Sequence, residues 1–283
     1  IFYSDEDKLD LDGTRVEPYF KPDWNPELFL SQNYVSHLGV YRTETVQSLG
    51  GFRKGLEGSQ DYDLALRVTE ISTASQIVHI PHVLYHWRKT KGSTAIASSE
   101  KSYAVEAAFR AVREHLDRKG EVAEVVSAGV GDYWRVRYQR TSEPSVSIII
   151  PTRDRIDLLK MFLDSVRGKS SYSNFEIVVV DNNSCLPETL AYLEEQRHIK
   201  RTRVLIDGGA FNFSRINNFA STKADGDYLL FVNNDIEIIT ADWIEEMLSF
   251  AMRPDTGAVG VKLLYPNDTV QHGGIILGIG GVA

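Results

Sequence analysis

The sequence predicts an α/β protein, a mixed Rossmann-like sheet flanked by helices, assembled from parts of two successive domains. Short β-branched runs alternate with stretches of helical periodicity over residues 146–232, the pattern of strands buried between helix layers. The clearest runs each stop at a polar cluster. An echo between the first and last segments of the chain points to the duplication.

Residues 146–150 (VSIII) form a β-branched run closed by Pro151, as a buried strand would be. Ile156, Leu158, Leu159, Phe162, Leu163 and Val166 then recur at helical spacing before Gly168. Residues 176–180 (EIVVV) read as a second buried strand that ends at Asp181-Asn182-Asn183-Ser184. A helix over 187–197 follows, with Pro187 suited to its first turn. Residues 203–206 make a weaker third strand and 213–223 a helix. Residues 228–232 (YLLFV) make a fourth strand, stopping at Asn233-Asn234-Asp235. In such sheets, ligands bind beyond the carboxyl ends of the strands. Thr152-Arg153-Asp154, Asp181-Asn182-Asn183 and Asn233-Asn234-Asp235 all fall at those ends.

The first half differs. Helices are expected over 61–70 and 101–119, the second stopping at Gly120, and short strands over 77–80 and 83–87. Residues 120–145 read as a linker, although Tyr133, Trp134, Val136 and Tyr138 imply that it packs on something. The division expected is therefore 1–119, a linker 120–145, and 146–283. Residues 1–18 hold a strand, a turn at Asp12-Gly13 and Thr14-Arg15-Val16-Glu17; residues 259–274 hold a strand, a turn at Asn267-Asp268 and Thr269-Val270-Gln271-His272. If these correspond, the two ends are one segment of two successive copies, with Asp5-Glu6-Asp7 opposite Lys262-Leu263-Leu264. The acidic triplet then reads as a turn or a supporting acceptor contact, with any metal motif of the first copy lying before Ile1.

Composition excludes several classes. The 283 residues are 42% hydrophobic and 25% charged, enough for one large or two medium cores. A net charge of −8 argues against a nucleic-acid partner, which would call for a basic stripe. Cys185 is the only cysteine, so no internal disulfide forms, consistent with a reducing compartment. No run of about 18 apolar residues is present to span a membrane. Ile1 is not a start methionine, and the sequence reads as a fragment.

VSIIIPTRDR, EIVVVDNNS and YLLFVNNDIEII, in that order and spacing, resemble the family-2 glycosyltransferases with the GT-A fold. GGFRKGLEGSQDYDLALR, followed by HIPHVLYHWRKTKGSTA, is similar to the acceptor-side half of the same domain. The combination resembles tandem-domain bacterial enzymes that build surface polysaccharides such as O-antigens. The resemblance implies that 1–119 is the C-terminal half of a first GT-A domain and 146–283 the nucleotide-sugar-binding half of a second. It implies a hexosyl- or deoxyhexosyltransferase that moves sugar from a nucleoside-diphosphate donor to a hydroxyl of a glycan or lipid-linked glycan. Inversion, a Mg2+ or Mn2+ cofactor, and a cytoplasmic location at the inner face of the membrane would follow. The fragment alone need not be active.

The candidate residues divide by role. Asn233 and Asp235 stand where the family has its Asp-x-Asp metal motif, since a hard cation with oxygen ligands neutralises a diphosphate leaving group. Only Asp235 brings full charge, and an ordinary strand-end turn would use the same residue types. Pro151, Thr152, Arg153, Asp154, Asp181, Asn183 and Asn234 would bind the nucleotide sugar, Asp181 by accepting from the base or ribose. Asp154 could instead cap the following helix. By the resemblance, Asp61 is the base that deprotonates the acceptor hydroxyl, with Asp63 the second choice; acids also suit a helix's first turn for its dipole alone. His86 and Arg88 would approach the diphosphate. His79, His82 and His86 have helical spacing, but Pro81 argues for strands and no closed zinc ligand set is present. A non-catalytic nucleotide-sugar- or glycan-binding module is the rival reading, favoured by Asn233. A nucleotidyltransferase would want a glycine-rich loop after the first strand, which Thr152-Arg153-Asp154-Arg155 does not offer.

Overall fold

The computed structural model describes residues 1–90, 102–129 and 131–274. Two compact units result, Ile1–Gln139 with Val261–Ala283, and Arg140–Gly260. The KGSTA end of the acceptor-side resemblance and the glycine-apolar stretch 275–283 lie outside the described residues.

In the first unit, β1 (Phe2–Leu9) pairs antiparallel with β2 (Arg15–Tyr19) near its end and with β3 (Gly39–Val40) at its start. On its other edge lies β4 (Val78–Arg88), parallel to it. The two short strands expected around Pro81 are thus one strand with irregular register: Ser4 pairs with Ile80 but Asp5 with Val83. Proline has no N–H to give to the ladder, so Pro81 sits where pairing is interrupted. Asp5, Glu6 and Asp7, expected in a turn, are buried on β1. Period-2 alternation sends Asp5 and Asp7 to one face, where they meet His79 and His86.

The helices are α1 (Pro26–Ser31), α2 (Thr43–Ser48), α3 (Gln60–Glu70) and α4 (Ser102–Lys119). α3 is buried from Tyr62 through Val68 without a break. Buried on every side, the middle of the helix is enclosed by its neighbours, its Asp63 and Arg67 included, and its ends reach water. At its C-terminal end, Glu70 accepts from His115 Nδ1 at 2.8 Å and from Arg118 Nη2 at 2.7 Å on α4. Burial depresses the His115 imidazole more than Glu70 raises it. The unfolded chain therefore takes up a proton near pH ~6.5 that the folded chain refuses, and stability falls as pH drops through that value. For Glu70, burial raises the carboxyl, but Arg118 and His115 bring it below its ordinary value. Its contribution is lost at lower pH still. Melting temperature is expected to fall from about pH 7.5 to about pH 5, and His115→Gln to flatten the upper part of that curve.

Residues 120–139, expected as linker, form a hairpin of β5 (Ala123–Ser127) and β6 (Trp134–Tyr138) within the first unit. Trp134, Val136 and Tyr138 are buried, and the Trp134 indole N–H donates to the Leu30 carbonyl on α1. Of the four residues expected to pack, Trp134, Val136 and Tyr138 do so, whereas Tyr133 is exposed.

In the second unit, β7 (Val146–Thr152), α5 (Ile156–Lys169), β8 (Phe175–Asp181), α6 (Pro187–Arg197), β9 (Thr202–Ile206), α7 (Phe213–Ser221), β10 (Tyr228–Phe231) and α8 (Trp243–Ala251) follow in alternation. All four strands are parallel, in the order β10-β7-β8-β9. Ile148, Ile150, Ile177 and Val179 face a core with Phe162, Leu163 and Leu248. Ile149, Val178 and Val180 face Ile216 and Ala220 of α7. Helices on both faces explain why the strands are continuously apolar rather than alternating. Gly226 lets the chain enter β10 beside β7, because a Cβ there would lie 2.5 Å from the Ser147 backbone nitrogen.

The last hairpin, β11 (Leu263–Leu264) with β12 (Val270–His272), groups with the first unit. Its turn repeats the β1–β2 turn bond for bond. Asp10 N–H donates to the Thr14 carbonyl at 2.9 Å and Tyr265 N–H to Thr269 at 2.8 Å. Gly13 N–H to Asp10 and Asp268 N–H to Tyr265 are both 2.9 Å. Asp12 and Asn267 accept from the N–H of Thr14 and Thr269 at 2.8 and 3.2 Å. This register sets Asp7 opposite Lys262, two residues from the match expected from sequence.

Candidate functional site

The donor-side candidates come together at the carboxyl edge of the parallel sheet. Thr152 and Asp181 are register partners at the ends of β7 and β8, and Asn182 N–H donates to the Thr152 carbonyl at 3.0 Å. On the other flank, Asn234 Nδ2 donates to Thr152 Oγ1 at 3.1 Å. Thr152 is therefore bracketed by the other two clusters. Strand order reverses between β7 and β10, which makes this edge a topological switch point, where open α/β sheets form a crevice.

Each residue plays a distinct part there. Asp181 is buried, with Oδ1 accepting from Ser184 N–H at 3.1 Å. Asn183 adopts a left-handed backbone, φ 63°, and its amide donates to the Gly209 carbonyl at 2.9 Å. Pro151 is half-buried and Arg153 exposed. Asn233 and Asp235 are exposed beyond β10. No group of three or more His, Cys, Asp or Glu side chains able to hold a metal occurs among the described residues. A single carboxylate supplemented by substrate phosphate oxygens still suits Mg2+ or Mn2+, which keeps few protein ligands.

Asp154 is held by the loop that follows β8. Both its oxygens are engaged, Oδ1 by the N–H groups of Cys185 at 2.7 Å and Leu186 at 2.9 Å, Oδ2 by Cys185 Sγ at 3.2 Å. The Leu186 N–H, with those of Cys185, holds its carboxyl below the usual range. It makes no capping bond to α5 and ties the β7 loop to the entrance of α6.

A further cluster was missed. Asp207, just past β9, accepts from Arg215 Nη2 at 2.7 Å and from Asn182 Nδ2 at 3.0 Å. Arg215 foremost holds the Asp207 carboxyl below its ordinary value. A Cβ at Gly209 would fall 2.5 Å from Arg215 Nη2, so a larger residue there would displace the guanidinium. Asn182 donates its amide hydrogens to Asp207 and Gly209, while its buried Oδ1 has no hydrogen-bond partner. The Asp207-Gly208-Gly209 run after a short strand was the available signal.

The acceptor-side candidates lie in the first unit. Asp61 is exposed in the first turn of α3, its Oδ2 accepting from Asn33 Nδ2 at 3.1 Å. Asp63, the second choice for the base, lies inside the packing around α3. Its side chain is fully buried and bonded to Arg67 Nε at 2.9 Å and to the Arg53 guanidinium. Burial raises the Asp63 carboxyl, but the two arginines outweigh it and hold it below the ordinary range. Arg67 in turn donates to the carbonyls of Leu49 and Gly51 at 2.7 and 2.6 Å. Asp63 is a packing anchor. His86 Nδ1 is held by Asp7, and Asp7 also accepts from Arg15 Nε at 2.5 Å; Arg88 is exposed further along β4. His79 Nε2 lies 2.8 Å from Asp5.

Residues 147–275 match the family model for glycosyl transferase family 2. Over the whole chain, the sequence is 45% identical to the uncharacterized protein y4gI of Sinorhizobium fredii, spanning 31% of its length. It is also 45% identical over its whole length to the O-antigen biosynthesis protein RfbC of Myxococcus xanthus, spanning 22% of it. The chain thus corresponds to less than a third of either relative. A solved mannosyltransferase of Pyrobaculum calidifontis, in complex with GDP-Man and Mn2+, is 23% identical, with a TM-score of 0.40 over 45% of this chain and 38% of that one. No helix among the described residues is long and apolar enough to cross a membrane.

Proposed function

We propose that the parent protein is an inverting GT-A glycosyltransferase of surface-polysaccharide synthesis, and that this chain carries the acceptor-side half of one catalytic domain and the donor half of the next. The observation that carries the reading is the row Asp181, Thr152 and Asn234 at the switch point of a family-2 domain. The duplicated hairpin turn and the far greater length of both relatives support tandem copies. RfbC supports the O-antigen context by its name alone.

In this reading, Asp181 and the unpaired Asn182 Oδ1 accept hydrogen bonds from the nucleotide, since buried acceptors call for donors. Asp235, with Asn233, holds Mg2+ or Mn2+, which would neutralise the departing diphosphate when bound. Asp61 takes the proton of the acceptor hydroxyl as that oxygen bonds to the anomeric carbon; the bond to the diphosphate breaks, and the diphosphate leaves with the electron pair. Asp61 serves the first copy, Asp181 and Asp235 the second. His86, fixed by Asp7, and Arg88 face phosphate in the first copy.

Full-length protein given UDP- and GDP-sugars with Mn2+ and a glycan primer should release nucleoside diphosphate and lengthen the primer. Binding of nucleotide with neither release nor lengthening would support the second reading, a non-catalytic binding module, which Asn233 in place of an acid favours.

A further inference from the structure

We infer that Asn33 is the positioning residue for Asp61, an assignment that rests on Asp61 being the base. Asn33 follows α1 in a loop fixed from both sides. Tyr34 and Val35 beside it are buried, and the Tyr34 hydroxyl accepts from Asn25 N–H at 2.8 Å. Asn33 Oδ1 accepts from Ser36 N–H at 3.2 Å, which orients the amide so that Nδ2 points at Asp61 Oδ2, 3.1 Å away.

The consequences follow from the donor inventory. An amide nitrogen donates and cannot accept, so this contact holds a carboxylate oxygen and selects one rotamer of an otherwise exposed side chain. Asp61 Oδ1 has no partner among the described residues and is left for the acceptor hydroxyl. Other charged or titratable groups near this end of α3 include Tyr41, whose hydroxyl is raised first by burial and then by the charge of Asp61, the buried Tyr62, whose hydroxyl donates to the Phe29 carbonyl, and Asp63, neutralised by Arg53 and Arg67. None of these donates to Asp61. Asn33 therefore supplies the orientation that a general base needs to stay within reach of the proton it removes.

The test separates this role from loop capping. Asn33→Ala removes both bonds. Asn33→Asp keeps an acceptor for Ser36 N–H but turns the donor toward Asp61 into a second carboxylate. With UDP- and GDP-sugars as probes in the full-length protein, N33A should lower kcat roughly tenfold, the worth of one hydrogen bond to a charged group, with donor KM unchanged. N33D should fall further, and neither should lower the remaining rate of Asp61→Asn. In 15N-asparagine-labelled protein, the Asn33 side-chain signal should move on Asp61→Ala, whatever the turnover. N33D matching wild type while N33A is impaired, or an unmoved Asn33 signal, would overturn the assignment. Wild-type turnover by D61N would instead remove the base reading itself.

Discussion

Asp61→Asn should lower sugar transfer by roughly 10²–10⁴-fold, the usual contribution of a positioned general base, while leaving the melting temperature unchanged. The amide keeps the size and the hydrogen-bonding reach of the carboxylate but cannot take up the hydroxyl proton. Asp61 is exposed and its side chain makes one hydrogen bond among the described residues, so its loss should be silent in stability. Steady-state kinetics beside thermal melts measures both quantities on one preparation. A tenth or more of wild-type turnover in D61N would assign proton transfer elsewhere.

Two residues along, the consequence reverses. Asp63→Ala should cost on the order of 3–5 kcal/mol of stability, as breaking a buried ion pair does. The Arg67 side chain is almost completely buried and would keep its charge without a counter-ion. Arg53, shared with Glu114 of α4 at 2.7 Å, would keep one carboxylate. The Leu49–Gly51 turn, held through Arg67, would loosen with it. Chemical denaturation at neutral pH gives the value directly; a loss under about 1 kcal/mol, the range of exposed pairs, would contradict the burial of this network.

The contrast shows what the sequence could and could not say. Asp61 and Asp63 are indistinguishable by residue type and motif; one faces water and the other the interior because α3 is enclosed from Tyr62 onward. Enclosure comes from α4 and the loops, which no local pattern encodes. The parallel sheet was legible because strands buried on both faces leave long apolar runs, and the three polar clusters followed as their ends. The partners of Asp154, Cys185 and Leu186, lie 31 and 32 residues away, beyond the reach of a local pattern. Asp207 was overlooked because β9 is short and its meaning depends on Arg215 and Asn182 folding back on it. The alternation of Trp134, Val136 and Tyr138 was strand-like from the start; their burial turned an expected linker into a hairpin.

A donor site at the carboxyl edge of β7, β8 and β10 requires nucleoside-diphosphate binding that depends on both a divalent cation and the strand-end acids. Calorimetric titration of UDP and GDP into the protein, with Mn2+ and with chelator, measures this. Wild type should bind one of them at least tenfold more tightly with Mn2+, corresponding to about 1.4 kcal/mol. Asp235→Asn should lose that gain, and Asp181→Asn should weaken binding with or without metal. Equal affinity with Mn2+ and chelator, unaffected by either substitution, would contradict a metal-assisted donor site on this edge.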